Sequence, residues 1–405
     1  MKLKIIIPVN FNPYFISSAH ANRLTGLIDG LLNFDVDIII YVIGGYLSTA
    51  EKDTFDKKTI KNNLNIYYLN NSLIANKWKR RYYNYFGKNI NAIKCKSKIY
   101  SNIKNSESII WVIPELELLK IINFIVNRDV TVKLFCELSE FFDFHQNGNN
   151  RQIQKLAANR IENYFNKNIL SKINGFALMT NTLHDYFIKT VVKGTKLTHI
   201  PMTVDLERFK TSYNNTNKLK HPYIAFVGVM DNGKDGVNIL INAFAKISSK
   251  YPSYSLYLIG GWNYDTPSHL KLIKDLNLED KIKWLGEFSR EKIPAILQNA
   301  SLLALPRPNS KQAQGGFPTK LGEYLASGVP VCATTVGEIP NYLTDNETVF
   351  FAEPGSVESF ANAIERALSN PELANKVGLA GRKVAETHFN KDIQAKKLYE
   401  FLQTL

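Results

Sequence analysis

The sequence predicts an α/β protein made of two doubly wound domains, each with a parallel sheet covered by helices on both faces. The chain has 405 residues, which corresponds to about two domains of roughly 100–200 residues each. Short apolar runs rich in β-branched residues recur along the whole chain, as expected for strands buried on both faces. Helix-length amphipathic segments separate these runs in both halves, and such alternation is typical of parallel sheets.

The first half begins with a strand and keeps this alternation to about residue 200. Because the opening apolar run ends at Asn10, Asn12 and Pro13, we interpret it as a buried strand rather than a signal peptide. The predicted strands are Ile5–Val9, Val36–Ile43, Leu64–Leu69, Ile109–Ile113, Thr131–Leu138, Phe176–Met179 and Leu197–Ile200. The main predicted helices lie near Ala19–Asn33, Leu116–Asn127 and Gln152–Leu170.

The second half repeats the alternation after a polar stretch, Pro201 to Pro222, that holds no strand-like run. Its predicted strands are Tyr223–Val227, Ser255–Ile259, Ile282–Leu285, Leu302–Leu305, Val329–Ala333 and Thr348–Phe351. We therefore place the first domain at residues 1–205 and the second at 206–390. Residues 391–405 predict one more amphipathic helix, which we expect to pack back on the first domain.

Composition excludes several classes of protein. Hydrophobic residues make up 45% and charged residues 21%, which excludes a disordered or fibrous chain. No apolar run reaches the ~18–20 residues of a membrane span. The three cysteines are far apart and match neither a disulfide framework nor a metal knuckle, so we expect a cytoplasmic protein.

The charge of +14 is unevenly distributed, since the first 200 residues carry a net +12 and the rest +2. Between Asp56 and Glu107 there are 12 basic residues and no acidic one. The segment Lys77 to Lys98 mixes cations with Trp78, Tyr82, Tyr83, Tyr85 and Phe86. Such a segment suits an anionic membrane surface, whereas a solvated basic helix and a nucleic-acid surface are the alternatives. We expect peripheral attachment to a membrane and no nucleic-acid partner.

The densest chemical pattern lies between Pro306 and Leu343. Gly315-Gly316 allows a ligand to approach the backbone closely, and Pro318 is suited to the first helical position. Thr319 and Lys320 follow in the first turn, where free N–H groups and the helix dipole attract an anion. Glu323 lies one turn further on the face of Thr319. A carboxylate there is suited to the hydroxyls of a ribose rather than to phosphate. The alternative is an ordinary capped helix.

A second pattern follows the first strand of this half. The strand ends at Gly228, and a loop then carries Lys234-Asp235-Gly236 to the next helix. Lys234 on this loop lies at the carboxyl end of a strand, where it can reach a diphosphate. Together with the helix start at Thr319, this places two cations and one helix N-terminus around one anionic ligand.

With these patterns the chain resembles the retaining GT-B glycosyltransferases of family 4 (glycosyl transferases group 1). The segments that carry the resemblance are GFPTKLGEYLASGVPV, the KDG turn, IKWLGEFSREKIPAIL and VGEIPNYL, with looser matches at SAHANRLTGLIDGL, CELSEFF and HIPMTVDLERF. The resemblance implies two Rossmann-like domains facing across a cleft. The second domain would hold a nucleotide diphosphate sugar and the first a glycan acceptor. By resemblance Glu323 would bind the ribose, and Lys234, Thr319 and Lys320 the diphosphate.

Two positions depart from the family pattern. Many members have an acidic residue where this chain has Gly315, and many have an arginine where it has Val229. Backbone amides around Gly315 to Phe317 could replace the carboxylate that usually contacts the donor sugar. The donor-side candidates are Gly228, Lys234, Phe288, Arg307, Gly315, Gly316, Phe317, Pro318, Thr319, Lys320, Leu321 and Glu323.

The first half supplies candidates for the acceptor side. Glu137 and Glu140 follow a strand at its carboxyl end, where a carboxylate can orient a hydroxyl. His20 and Asn22 open the first helix, and His145 follows the fifth strand. The catalytic candidates are thus Glu137, Glu140, Lys234 and Glu323. No cluster of His, Cys and carboxylates has metal-ligand spacing, so we expect no metal and no other cofactor.

These inferences predict a metal-independent, retaining glycosyltransferase that extends a glycan, expected to be lipid-linked, at the inner face of the cytoplasmic membrane. Synthesis of surface polysaccharide or glycoconjugates is the expected setting. Two alternatives stay open: a nucleotide-sugar epimerase of the same fold, and a glycan-binding protein that has lost catalysis.

Overall fold

The computed structural model describes residues 2–16, 18–55, 63–74, 76–104, 107–129, 131–140, 151–210, 219 and 222–405. These residues form two compact units. The described residues before Pro201, together with Gln394–Leu405, make up the first unit, and those of Pro201–Ile393 make up the second. Among the described residues, no helix has both the length and the apolar character needed to cross a bilayer.

The first unit is built on a parallel sheet of seven strands in the order β3-β2-β1-β4-β5-β6-β7. The strands are β1 (Leu3–Val9), β2 (Val36–Val42), β3 (Leu64–Tyr68), β4 (Ile109–Val112), β5 (Lys133–Leu138), β6 (Gly175–Leu178) and β7 (Lys196–His199). The helices are α1 (Ala19–Leu31), α2 (Thr49–Phe55), α3 (Lys77–Tyr82), α4 (Lys88–Ile103), α5 (Leu116–Val126), α6 (Arg151–Asn168) and α7 (Asn181–Thr190). A π-helical turn, Tyr83–Gly87, joins α3 to α4.

The second unit has a parallel sheet of six strands in the order β10-β9-β8-β11-β12-β13. Its strands are β8 (Tyr223–Val227), β9 (Ser255–Ile259), β10 (Ile282–Trp284), β11 (Leu302–Leu305), β12 (Val331–Thr334) and β13 (Phe350–Ala352). Its helices are α8 (Asn232–Asp235), α9 (Val237–Ile247), α10 (Thr266–Asp275), α11 (Ile293–Gln298), α12 (Lys311–Gly315), α13 (Thr319–Ala326), α14 (Val357–Ser369) and α15 (Pro371–Val384). The last helix of the chain is α16 (Lys391–Leu402).

The central strands are apolar because helices cover both faces of each sheet. Every residue of β4 and of β11 is buried. Residues of α16 complete the first core, where Leu398 and Leu402 are buried and the ring of Tyr399 stacks on Phe34 at 4.7 Å. The predicted fold class, two doubly wound parallel sheets and a C-terminal helix, is confirmed.

Both sheets reverse their strand order between two neighbouring strands, at β1 and β4 in the first unit and at β8 and β11 in the second. At such a point the loops that follow the two strands separate, and the carboxyl ends of the strands frame a crevice. Residues after β1, β4, β8 and β11 are therefore the positions where ligand-binding side chains are expected in each unit.

Candidate functional site

Helix α13 is the central element of the candidate site in the second unit. It begins at Thr319, because Pro318 is extended (φ −72°, ψ 108°), so the predicted helix start at Pro318 is one residue early. No side chain caps the first turn. The Leu321 N–H donates to the Pro318 carbonyl at 3.0 Å, so the N–H groups of Thr319 and Lys320 are those that can face an anion. Gly315, Gly316 and Phe317 are buried just before this end.

Tyr324 fixes α13 against the end of β8. Its hydroxyl accepts a hydrogen bond from the Val227 N–H at 2.7 Å and donates one to the Val227 carbonyl at 3.1 Å. Burial raises the pKa of Tyr324 well above its ordinary value, so the hydroxyl keeps its proton. Lys320 lies one turn before Tyr324 on the same face, and this anchor therefore directs Lys320 toward the residues after β8.

Lys320 lies over the end of β8 and forms an ion pair. Its Nζ is 2.6 Å from Oδ1 of Asp235 and 4.7 Å from the centre of the Phe226 ring. Asp235 is buried, whereas the Lys320 side chain is 18% exposed. A Cβ at Gly228 would lie 2.2 Å from this Nζ, so a side chain there would displace the ammonium. The absence of a side chain at Gly228 is what gives Lys320 its position.

The charges of two further cations, Arg307 and Lys234, influence the pKa of Lys320. Burial lowers the pKa of Lys320, Asp235 raises it, and the charges of Arg307 and Lys234 lower it further. Arg307 is buried just after β11, and its carbonyl accepts a hydrogen bond from the Thr334 hydroxyl at 2.6 Å. Lys234, Arg307 and Lys320 therefore bring three positive charges close together near the start of α13. Such a cluster is suited to an anion with several charged oxygens.

The turn that carries Lys234 is a short helix, not the predicted loop. Asp231 begins α8 by accepting a hydrogen bond from the Lys234 N–H at 2.8 Å. Gly236 ends it with φ +66°, and a Cβ there would lie 2.1 Å from the Pro306 carbonyl oxygen. Only glycine fits this position, and the turn thereby brings Asp235 beneath Lys320.

Glu323 is engaged by an arginine that the sequence analysis did not assign. The Arg208 guanidinium contacts Oε1 of Glu323 and also donates to the Arg290 carbonyl at 2.7 Å. The Glu323 side chain remains 28% exposed. Arg208 lies 115 positions earlier in the chain, so no spacing pattern could have paired the two residues.

The other donor-side candidates differ in how deeply they are buried. Thr319 is half-buried in the first turn of α13, while Leu321 is fully buried and packs in the core. Phe288 is half-buried in the loop after β10. The structure thus brings Gly228, Lys234, Arg307 and Lys320 together.

Glu137 lies inside the first unit rather than at its surface. The carboxylate is on β5, and its Oε1 accepts a hydrogen bond from Nε of Arg23 at 2.7 Å. The side chains of Arg23 and Glu137 are 2% and 3% exposed. Arg23 also donates to the Ile200 carbonyl at 2.7 Å, so this pair ties α1 to the sheet.

The remaining first-unit candidates lie nearer solvent. Glu140 is half-buried two residues after β5, His20 is exposed in the first turn of α1, and Asn22 is half-buried beside it. Ser18 caps this helix by accepting from the Ala21 N–H at 3.2 Å. His145 lies outside the described residues.

The basic segment forms a helix with two different faces. Its outer face carries five large apolar side chains spaced three or four residues apart, which place them along one line. Their exposures are 77% for Trp78, 63% for Tyr82, 62% for Phe86, 44% for Ile90 and 65% for Ile93. We call these five residues the apolar stripe. The aromatic part of the stripe was predicted from the sequence, whereas its continuation through Ile90 and Ile93 was not.

Cations flank the apolar stripe, and the inner face of the same helix is buried. Lys79, Arg80, Arg81, Lys94 and Lys98 are exposed. On the inner face, Tyr83, Ala92, Cys95, Ile99 and Ile103 pack in the first unit. The helix therefore has a buried, core-facing side, and the exposed apolar stripe is additional to it.

In the described part of the chain, no group of three or more His, Cys, Asp and Glu residues is placed to hold a metal ion.

Comparison with known proteins points to one family. Residues 208–384 match the family model described as "Glycosyl transferases group 1". A curated relative from Mycobacterium tuberculosis, a GDP-mannose-dependent α-(1-6)-phosphatidylinositol monomannoside mannosyltransferase, is 26% identical over 219 residues. That match covers 52% of this chain and 56% of the relative. The amylovoran biosynthesis glycosyltransferase AmsK of Erwinia amylovora is 30% identical over 174 residues, 42% of each chain.

The chain thus spans about half the length of these curated relatives. Among solved structures, the fold is similar to that of sucrose-phosphate synthase from Thermosynechococcus elongatus. The TM-score is 0.76 at 17% identity, over 99% of this chain and 98% of the other. The similarity in fold to this synthase therefore covers both units of the chain.

Proposed function

We propose that the protein is a glycosyltransferase of the GT-B fold, because residues 208–384 match the family model described as "Glycosyl transferases group 1" and both units share the fold of a sucrose-phosphate synthase. It would transfer a sugar from a nucleotide diphosphate sugar to a glycan during synthesis of a bacterial-type surface polysaccharide or glycoconjugate. The observation that carries the proposal is the cation cluster of Lys234, Arg307 and Lys320 at the start of α13.

The diphosphate of the donor would bind at this cluster. Lys320 and Lys234 would contact phosphate oxygens, together with the N–H groups of the first turn of α13 and the Thr319 hydroxyl. Asp235 holds Lys320 in place before the donor arrives. Glu323, one turn deeper and partly exposed, would accept hydrogen bonds from the ribose hydroxyls, with Arg208 fixing the orientation of the carboxylate.

The proposed reaction retains configuration at the anomeric carbon and needs no metal. The acceptor hydroxyl attacks from the face that the diphosphate leaves, and a β-phosphate oxygen takes its proton as the sugar–phosphate bond breaks. The cations then stabilise the charge that develops on the diphosphate. Glu140, half-buried after β5, is the better placed of the two first-unit carboxylates to orient the acceptor, since it is nearer solvent than Glu137, whose side chain is 3% exposed.

Calorimetric titration with UDP, GDP, ADP and their common sugars tests the donor assignment. Glu323→Ala should weaken nucleotide binding about ten- to hundredfold, because each lost hydrogen bond to a charged group costs about 1.5–3 kcal/mol. Unchanged affinity in this variant rejects the ribose assignment. Turnover should persist in EDTA, and rescue of an inactive, EDTA-treated enzyme by magnesium would contradict the metal-free reaction. Release of an isomeric nucleotide sugar without a glycan product would identify an epimerase instead.

We propose a lipid-linked acceptor because the helix of the basic segment is suited to a membrane surface. An in-plane amphipathic helix buries its apolar side chains at the headgroup boundary while flanking cations attract anionic lipid. The apolar stripe and the five exposed cations beside it have this arrangement. At about 1 kcal/mol per cation, several cations give reversible attachment, expected at the inner face of the cytoplasmic membrane.

Cosedimentation with vesicles tests the attachment. The protein should bind vesicles that contain phosphatidylglycerol and should leave vesicles of pure phosphatidylcholine in solution. Trp78→Ala combined with Phe86→Ala should weaken binding at every salt concentration, while Arg80→Glu combined with Arg81→Glu should weaken it mainly at low salt. A matched control is Leu156→Ala, which removes an exposed apolar side chain from another helix. If wild type ignores anionic vesicles at low salt, the acceptor is not presented on a membrane through this helix.

A further inference from the structure

A buried histidine of α10 contacts the short helix that carries Lys234. His269 is 2% exposed, and its Nε2 lies 2.7 Å from Oδ1 of Asn232, the first residue of α8. Asn232 precedes Lys234 by two residues and Asp235 by three. A contact at Asn232 therefore acts on the segment that presents both of these charges.

Two further hydrogen bonds fix Asn232. Its Oδ1 also accepts from the Asn238 N–H of α9 at 3.2 Å, and its own backbone N–H donates to Oδ2 of Asp265 at 2.8 Å. A helix of four residues has little stability of its own, because its first turn costs more conformational entropy than its few hydrogen bonds return. The position of α8 thus depends on these contacts with its neighbours.

The contacts of Asn232 also define which ring nitrogen of His269 carries the proton. A backbone N–H can only donate, so the Asn232 atom that faces Asn238 is the carbonyl oxygen, and His269 must donate its Nε2–H to the same oxygen. Nδ1 of His269 is then an acceptor. It is buried, and within the part of the chain that the structure describes it has no hydrogen-bond partner. The ring is therefore neutral and has one engaged donor.

The start of α10 is a firm support for these contacts. Oδ1 of Asn263 accepts from the N–H groups of Asp265 and Thr266, each at 3.0 Å, and the Thr266 hydroxyl accepts from the Asn263 N–H at 2.9 Å. Thr266 is fully buried. Asp265 and His269 lie one turn apart on the same face, so α10 holds Asn232 through two residues.

We propose that His269 is a positioning residue of the diphosphate site. Through its hydrogen bond to Asn232 it fixes α8, which keeps Asp235 at the Lys320 ammonium and Lys234 near it. The inference rests on the proposed binding of a nucleotide diphosphate sugar. Without the Nε2–H donor, α8 can shift, and charge-assisted contacts to phosphate oxygens weaken when the charges move. Nucleoside binding should change less, because the proposed ribose contact is on α13.

The protonation of His269 gives this role a dependence on pH. Burial lowers the pKa of His269, whereas Asp265 and Asp231, which caps α8, raise it. As the pH falls through this lowered pKa, a proton on Nδ1 places a positive charge inside the protein. Asp265, which has the larger influence of the two carboxylates, would be attracted to that charge and drawn away from the Asn232 N–H. Diphosphate affinity should therefore fall in acid.

Calorimetric titration with a nucleoside diphosphate and its nucleoside tests the inference. The probe is whichever of UDP, GDP and ADP binds wild type. At about pH 8, His269→Leu should weaken diphosphate binding about three- to tenfold, the value of one neutral hydrogen bond, with a smaller change for the nucleoside. His269→Gln, whose amide N–H can replace Nε2–H, should restore the affinity. His184→Gln, at a partly exposed histidine of the first unit, is the matched control.

The same titrations between about pH 8 and pH 5 separate the histidine from the ligand. A terminal phosphate itself gains a proton near pH 6, so all variants are compared with the same diphosphate. Wild type and His184→Gln should lose more affinity in acid than His269→Gln, which has no ring to protonate. Identical acid profiles for wild type and His269→Gln would overturn the inference.

Asn232→Ala keeps the test valid if His269→Leu fails to fold, because it removes the acceptor rather than the donor and should cause the same selective loss. Unchanged diphosphate affinity in both variants, equal losses for diphosphate and nucleoside, or a loss that His269→Gln does not restore would also overturn the inference. If wild type binds no diphosphate more tightly than its nucleoside, the proposed function fails instead, so the two failures are distinguishable.

Discussion

Each unit pairs a buried carboxylate with a cation, but the two pairs differ in their surroundings. In the first unit, Arg23 and Glu137 are both about 2–3% exposed, and Arg23 also binds a carbonyl. In the second unit, Asp235 is buried while Lys320 keeps 18% exposure and has two further cations near it. Both charges of a fully buried pair are shielded from ligands, and removing either partner leaves the other charge buried without compensation. A pair that has two further cations beside it and keeps access to solvent is suited to bind an anionic ligand.

The largest expected effect comes from breaking the first pair. Glu137→Gln leaves the Arg23 charge buried without its counter-ion, which should lower the free energy of unfolding by about 3 kcal/mol. Chemical denaturation measures this loss, and Glu107→Gln serves as the control. If Glu137→Gln leaves stability unchanged but abolishes turnover, Glu137 is a catalytic residue and the contrast between the two pairs fails.

Removing the second pair's cation should weaken ligand binding and also lower stability, because Asp235 is left buried without its counter-ion. Lys320→Met should weaken nucleoside diphosphate binding about ten- to hundredfold while changing the affinity for the bare nucleoside far less, because the lost partner is a phosphate oxygen. Lys234→Ala should have the same selectivity. Calorimetry with the diphosphate and the nucleoside side by side measures it, and an equal loss for both ligands would argue against phosphate contact.

Much of this site was predictable because its residues are close in sequence. The fold class follows from the apolar runs, and the anion site follows from Gly315-Gly316 and Thr319-Lys320, all within one loop and helix start. The ion pairs Arg23–Glu137, Arg208–Glu323 and Lys320–Asp235 join residues 114, 115 and 85 positions apart. The two residues of each pair come together only because the fold brings distant segments of the chain side by side, and local sequence spacing does not encode this.

A smaller effect is expected at Gly228. Gly228→Ala places a Cβ where the Lys320 ammonium lies, and the flexible lysine should move away from Asp235. We expect a several-fold loss of diphosphate affinity together with a moderate loss of stability, because Gly228 has φ +159°, where a side chain is strained. Val229→Ala, at an exposed neighbouring position, is the control. Full affinity in Gly228→Ala would mean that the position of Lys320 does not matter for binding.

The smallest effect is a dependence on pH. Burial first, and then Arg307 and Lys234, lower the pKa of Lys320 from its ordinary value of 10.5, against the opposing effect of Asp235. The charged form binds phosphate, so diphosphate affinity should fall as the pH rises through this lowered pKa, below the range where an exposed lysine titrates. Lys320→Arg should remove the decline, because a guanidinium keeps its proton. Identical pH profiles for wild type and Lys320→Arg would assign the titration to another group.

The central claim is that the second unit holds an open anion site for a nucleoside diphosphate. Calorimetric titration of wild type with UDP, GDP and ADP, each compared with its nucleoside, tests the claim most directly. We predict that at least one diphosphate binds about tenfold or more tightly than its nucleoside, and that high salt reduces the difference. If no diphosphate binds more tightly than its nucleoside, the cation cluster around Lys320 is a structural feature and the proposed donor site is wrong.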